Sequence, residues 1–228
     1  MRIDEIEKKS APLSYQCLKM QIKDIQAIFN ALNEKDNIFN PEIGSNGFHD
    51  CKCDKGIIRG FYTVFKTFEV EHYILGLTTK ENFVRLEHCE FIITPEHVYV
   101  FGKPTPARLL VTALTAATGT YIERVEFDLE HIRQENRFTV MKTILLENSK
   151  HNPIRRARLT GCMREYKILP TIEVGNHEIN SIKGIIETPL GPIDLTVNKK
   201  GKITLDCKNG LILSIDNLNF IFDLITKD

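Results

Sequence analysis

Apolar and polar positions along the chain fall into two recurring blocks, each an alternating stretch followed by a stretch with helical spacing. In the first block, residues 83–101 alternate around Thr94-Pro95-Glu96, and a segment over 106–118 follows with Leu109, Leu110, Ala113, Leu114 and Ala117 on one side. In the second, residues 193–207 alternate around Lys199-Lys200-Gly201, and a segment over 215–226 carries Ile215, Leu218, Ile221, Phe222 and Ile225. Period-two alternation predicts strands, and recurrence at three and four predicts helices. The helix boundaries are punctuated: Thr105 as N-cap, Pro106 at the first helical position, Gly119 able to take the left-handed C′ conformation, and Ser214 opening the second helix. The pattern predicts an α+β fold of two remotely duplicated antiparallel sheet units, each a hairpin followed by a capped helix, with the helices on one face. The first unit, with an N-terminal helix, spans 1–131; the second, with a basic strand, spans 132–228.

Other segments fill in the frame. Leu18, Ile22, Ile25, Ile28, Phe29 and Leu32 predict an amphipathic helix over 15–33, and the Asn-, Asp-, Pro- and Gly-rich stretch 33–47 predicts a loop. Residues 56–77 read as two long antiparallel strands with a charged break at Glu69-Val70-Glu71. Residues 121–129 read as a strand with Val125, Phe127 and Leu129 on one face, and 130–147 suits either a strand or a helix.

Composition narrows the function classes. The 228 residues are 42% hydrophobic and 26% charged, in the range of an ordinary globular protein. Thirty basic and thirty acidic residues cancel, so no global field draws in nucleic acid or anionic lipid, and any such contact needs a local patch. The charged N-terminus lacks a signal-peptide core and no apolar run approaches the roughly 20 residues of a membrane span, which predicts a cytoplasmic protein with no membrane partner. The six cysteines are scattered and are expected to be reduced thiols. No Gly-rich phosphate loop, Gly-x-Ser-x-Gly turn or His-Glu-x-x-His occurs, which disfavours most nucleotide-dependent enzymes and α/β hydrolases.

Three clusters carry candidate chemistry. The first is the hairpin around Lys199-Lys200-Gly201, a type I turn closed by a left-handed glycine. That register pairs Asn198 with Lys202, Val197 with Ile203, Leu195 with Leu205 and Asp194 with Asp206. It puts Asp194, Thr196, Thr204, Asp206 and Lys208 on the face opposite the apolar residues. Facing aspartates repel, and magnesium would relieve the repulsion. Pro192-Ile193-Asp194 followed by Asp206-Cys207-Lys208 resembles the active-site hairpin of the restriction-endonuclease-like superfamily. The resemblance implies Asp194 and Asp206 as magnesium ligands, Lys208 orienting the attacking water, and Glu187 or Glu178 as an accessory carboxylate. The chain departs from that family after Lys208, where only one helix follows. The alternative is a solvated face of an amphipathic hairpin.

The second cluster is His49, Cys51 and Cys53. These supply three ligands for zinc, and Cys17 or His72 would have to complete the four that structural sites need. An exposed polar loop is the alternative. The third is the segment 150–167, with six basic residues, Lys150, Arg155, Arg156, Arg158, Arg164 and Lys167, against one acidic residue. On a strand over 154–160, Arg156 and Arg158 share a face while Ala157 and Leu159 turn inward. Guanidinium forks match phosphates bidentately, so this surface is the candidate nucleic-acid contact. A solvated strand paired with acidic neighbours is its alternative.

In layout, the duplicated hairpin-plus-helix units resemble the TATA-binding-protein fold; fold does not fix function. The sequence leads to a non-catalytic nucleic-acid-associated or assembly module acting through the local basic surface. The alternatives are a protein-partner or regulatory subunit, with self-association open, and a magnesium-dependent nuclease. A basic face continuous with one sheet surface favours the first, an exposed apolar strip the second, and converging carboxylates in a concavity the third.

Overall fold

A computed structural model of the chain describes residues 3–8, 12–135, 137–148, 156–161, 177–206 and 210–226. In chain order the elements are β1 (Glu5–Lys8), β2 (Leu13–Met20), α1 (Ile25–Leu32), β3 (Gly47–Asp54), β4 (Ile57–Ile74), β5 (Leu77–Ile93), β6 (His97–Gly102) and α2 (Pro104–Thr118). There follow β7 (Ile122–Arg124), α3 (Leu129–Gln134), β8 (Val140–Asn148), β9 (Arg156–Thr160), β10 (His177–Thr188), β11 (Gly191–Asn198), β12 (Lys202–Leu205), β13 (Leu211–Ser214) and α4 (Ile215–Thr226).

Strand outweighs helix, and the expected pair of duplicated hairpin-plus-helix units is not what forms. Eleven strands belong to one hydrogen-bonded ladder in the order β3-β4-β5-β6-β2-β12-β11-β10-β8-β9, with β7 on β2, while β1 and β13 form a separate two-stranded sheet. The two helices that motivated the duplication lie in unlike surroundings. α2 packs against β4, β5 and β6, which include the hairpin before it, whereas α4 packs against β13 and β10. A strand, Leu211–Ser214, intervenes between the second hairpin and α4 and pairs with β1. Four apolar-rich residues are too short a stretch to show their period, and a partner about 200 residues upstream is invisible to local pattern.

The chain divides into two compact units, Leu18–Glu123 and Met1–Cys17 with Arg124–Asp228. In the first, β3, β4, β5 and β6 form an antiparallel meander. One face of it, with Ile58, Tyr62, Val64, Cys89, Phe91 and Ile93, is covered by Ile28 and Leu32 of α1 and by Ala107, Leu110 and Leu114 of α2. The expected helix over 15–33 is split. Leu13, Tyr15 and Cys17 are buried at period two, then Leu18 and Met20, so residues 13–20 are strand and only 25–32 is helix. Asp24 caps α1, its Oδ1 accepting from the N–H groups of Gln26 and Ala27. α2 starts one residue before Thr105: Lys103 is its N-cap, without a side-chain bond, and Gly119 closes it at φ 64° as expected.

In the other unit β12, β11, β10, β8 and β9 form antiparallel pairs. Ile144, Leu146, Ile182, Ile186, Ile193, Leu195, Val197, Ile203 and Leu205 are buried, as are Leu218, Ile221, Phe222 and Ile225 of α4. On the other face of these strands Thr143, Lys183, Asp194, Thr196 and Thr204 are half-buried beside the apolar Leu145 and Ile185. Residues 125–128 are not a continued strand: after β7 the chain runs to Asp128, which caps α3 by accepting from the N–H groups of Glu130 and His131. No helix among the described residues is long and apolar enough to cross a membrane.

Candidate functional site

The second hairpin forms in the expected register. Leu195 faces Leu205 and Val197 faces Ile203, the Gly201 N–H donates to Asn198 O, and Gly201 has φ 76°. The ladder continues with Asp206 N–H to Asp194 O at 2.8 Å. Asp194 does not look toward an open carboxylate cluster. Its Oδ2 accepts from Lys142 Nζ at 2.7 Å, and Lys183 Nζ stands 3.9 Å from Oδ1. Lys183 comes from the adjacent strand β10 and Lys142 from β8, the strand beyond it, whose long side chain reaches across β10 on the polar face of the sheet. Of the candidate accessory carboxylates, Glu178 is exposed and paired with Lys199, which holds its carboxyl below the usual carboxylate range, and Glu187 is exposed at the Pro192 register. Lys208 lies outside the described residues. Among the described residues no three His, Cys, Asp or Glu side chains gather as a metal site.

His49, Cys51 and Cys53 sit on β3, an edge strand and not a loop. His49 uses both ring nitrogens, Nδ1 with Asp50 Oδ2 at 2.9 Å and Nε2 with Thr63 Oγ1 at 2.8 Å. Cys51 and Cys53 pack against the apolar core. Burial, with the charge of Asp50 adding to it, pushes the Cys51 thiol up to about 12, and burial pushes the Cys89 thiol up to about 12 as well. Cys51 and Cys89 are protonated, apolar-packed thiols, the state in which cysteine acts as a small hydrophobe.

Of the basic set, Arg156 and Arg158 are described, on β9 at the end of the ladder; Lys150, Arg155, Arg164 and Lys167 lie outside the described residues. Register puts Arg156 opposite Glu147 and Arg158 opposite Leu145, so both arginines share an exposed face while Ala157 and Leu159 are half-buried on the other. Arg156 is engaged by Glu147, Nη2 to Oε1 at 2.5 Å. Arg158 has no carboxylate partner among the described residues.

The most unusual feature lies in β4 and β5, and the sequence pattern did not reveal its form. Glu69-Val70-Glu71 does not break the chain into two strands: β4 runs unbroken to Ile74, and the turn is Leu75-Gly76. Both glutamates instead point at Lys80 on β5, at 2.8 and 3.0 Å. The β3 ladder ends at Thr63 and the β6 ladder at Cys89. Beyond these no further strand among the described residues pairs with the hairpin over residues 64–74 and 77–88, roughly 35 Å at about 3.4 Å per residue. The base is still held by the body, through Val64 in the core, Phe65 against Phe39 and Asn46, and Glu87 against Lys103. Its distal part is rich in exposed apolar side chains: Phe68, Tyr73, Leu75, Leu77, Phe83, Val84 and Leu86.

The arm is ordered by cross-strand pairs. Phe68 and Phe83 face each other in register and stack at 5.8 Å between centroids, with the Arg85 guanidinium 6.0 Å from the Phe68 ring. At its base, on the same face, Glu87 is 3% exposed and is approached by Arg85, by Lys103 Nζ at 3.4 Å and by Lys66 Nζ at 3.8 Å. Burial raises the Glu87 pKa, but the hydrogen bonds from Arg85 and Lys103 and the charges of Lys103 and Lys66 outweigh it and leave it lowered. At the tip, Leu75 has φ 52° and is 98% exposed. A left-handed leucine costs about 1–2 kcal/mol relative to a residue suited to that region, and among the described residues nothing covers its side chain in return. A cleft of about 770 Å³ between the ends of β2, α1 and α2 carries mixed charge, Lys19 and Lys23 against Asp24, Glu96 and Glu123, and gathers no catalytic set.

No family model matches the chain. No curated protein matches it significantly.

Proposed function

We propose that this protein is a non-catalytic assembly module that docks onto another protein surface through the β4–β5 arm. The observation that carries this reading is seven large exposed hydrophobic side chains on one two-stranded ribbon, Phe68, Leu77 and Phe83 on one face, Tyr73, Val84 and Leu86 on the other, and Leu75 at the tip. Exposed large apolar side chains concentrated on one element mark interaction sites in stable proteins. A ribbon whose edges no described strand pairs with is also an aggregation hazard, which native chains blunt with charge, as Lys80, Glu69 and Glu71 do here. The catalytic alternative has less behind it, because the Asp194 carboxylate is met by lysines.

The test is an arm-shortened variant in which residues 68–83 are replaced by Asn-Gly. The core residues beneath the arm lie outside that segment, so the variant folds with a cooperative melting transition. In extracts of the native source treated with a chemical crosslinker, which also captures weak association, the full-length protein migrates in a complex, and the shortened protein migrates alone. A complex of unchanged size with the shortened variant overturns the reading.

A second reading rests on Arg156 and Arg158, which share an exposed face on a terminal strand. It makes this strand a phosphate-binding surface for nucleic acid. Arg156→Glu with Arg158→Glu then weakens binding to DNA or RNA and flattens its salt dependence, by about one unit of slope for each phosphate no longer held. Wild-type protein without salt-sensitive binding removes this reading.

A further inference from the structure

The arm has one face that complements itself, and on this basis we propose that the partner it docks onto is a second copy of this chain, held by antiparallel packing of two arms. The proposal rests on the reading of the arm as a docking element. Along that face, register places three successive rungs: Lys66 opposite Arg85, Phe68 opposite Phe83, and Val70 opposite Glu81. Rungs on one face are separated by two residues, and toward the body the same face continues to Val64, which is buried in the core. The aromatic rung is the middle one, with a basic rung toward the body, whose Lys66 and Arg85 also meet Glu87 of the Val64–Glu87 rung, and toward the tip Glu81, which stands 3.6 Å from His72.

A twofold axis running across the ribbon through the Phe68–Phe83 rung reverses the direction of the arm and keeps β4 over β4 and β5 over β5. The aromatic pairs then meet each other at the centre. Arg85 of one arm falls opposite Glu81 of the other, and the symmetry repeats the contact, as an isologous interface requires. Moving the axis outward by half a rung sets Glu81 on an aromatic ring and the Lys66–Arg85 rung against the His72–Thr79 rung, so charge selects the first register. The opposite face of the arm lacks this property: there the apolar rung of Phe65 and Leu86 would meet Glu69 and Asn82. Two-stranded ribbons twist strongly, so the faces stay in contact over about three rungs and then diverge. Three rungs from each copy make an interface below the size of a stable dimer, so association is weak and depends on concentration.

The measurement is sedimentation equilibrium of the full chain up to about 200 µM, a range suited to a weak interface. Wild-type protein is expected to shift from monomer to dimer across that range. Arg85→Glu alone and Glu81→Arg alone each weaken association at least about tenfold, because each homodimer then opposes like charges twice. Mixing the two single variants restores association, since positions 81 and 85 of one variant then face opposite charges on the other. A cooperative melting transition shows that each variant is folded. Because Arg85→Glu also takes a cation from Glu87, its own transition is expected to fall while the mixture still restores association. A wild-type chain that stays monomeric throughout overturns the self-association, and so does a dimer indifferent to both substitutions or a mixture that stays monomeric. The arm-docking reading itself fails separately, on the arm-shortened variant.

Discussion

Lys142 Nζ lies 2.7 Å from Asp194 Oδ2, a bond that spans β10 to tie β8 to β11. Both groups are partly shielded, and Lys183 adds a second positive charge on the other carboxylate oxygen. Asp194→Asn is expected to lower stability by about 1 kcal/mol, the upper range for partly exposed ion pairs, because two lysines are left facing each other. Magnesium is expected to leave the melting temperature of the wild-type protein unchanged. A magnesium-dependent rise in wild type that Asp194→Asn abolishes would restore a metal site at this hairpin, since a bound ligand stabilises by mass action.

Gly201 closes the same hairpin at φ 76°, and a Cβ there would stand 2.1 Å from Val125 O. Gly191 closes the turn between β10 and β11 at φ 94° with nothing within 4 Å of a Cβ. Alanine at the two positions separates backbone strain from collision. Gly191→Ala is expected to cost about 1 kcal/mol, the price of a left-handed L-residue. Gly201→Ala is expected to cost about 3 kcal/mol or more, because strain and a backbone clash add. Urea denaturation of both variants checks this; equal losses would show that the Val125 segment moves away freely.

That hairpin was fully legible in the sequence, and the reason is local: a three-residue turn with glycine at its end sets a register that every neighbouring residue obeys. α4 and the left-handed Gly119 were legible for the same reason. What local pattern could not carry was pairing between distant segments. β2 reads as helix because Leu18, Ile22 and Ile25 are spaced like one, but its edge is taken by β12 from the far end of the chain, and strand pairing overrides the propensity. The arm hid behind its own chemistry. Glu69-Val70-Glu71 looks like a turn when read alone, and only Lys80 across the ladder explains why two glutamates can sit in a strand. The available signal was length: 18 and 17 residues far exceed the usual strand of about five or six. Leu75-Gly76, with the apolar residues around it, was the overlooked turn. Of the basic set, alternation alone placed Arg156 and Arg158 on one face, but not the neutralising Glu147, which belongs to another strand.

Glu87 is a nearly enclosed carboxylate among three cations at the root of the arm. Its pKa is lowered in the fold, against the opposing effect of burial, by Arg85, Lys103 and Lys66. A depressed folded-state pKa adds stability above the unfolded value, near 4.3 for glutamate, and that contribution disappears as pH falls through the folded value. Glu87→Gln is therefore expected to be less stable than wild type at neutral pH, with the gap closing below about pH 4. Melting curves from pH 7 to pH 3 test this. A gap that stays constant over the whole range would mean that Glu87 acts through packing and not through its charge.

Leu75 brings the arm's stability and its use into opposition. Its φ of 52° suits asparagine or glycine, and the favoured two-residue hairpin turn is Asn-Gly, whereas this chain has Leu75-Gly76. Leu75→Asn is expected to raise stability by about 1 kcal/mol, because the left-handed conformation costs asparagine less and no buried packing is given up. If the leucine is kept for contact with a partner, the same substitution weakens assembly while it stabilises the isolated chain. The two readouts together are diagnostic. A gain in melting temperature with a loss of the native complex supports a docking tip, and a gain with the complex unchanged would confine the contact to the ribbon faces behind it.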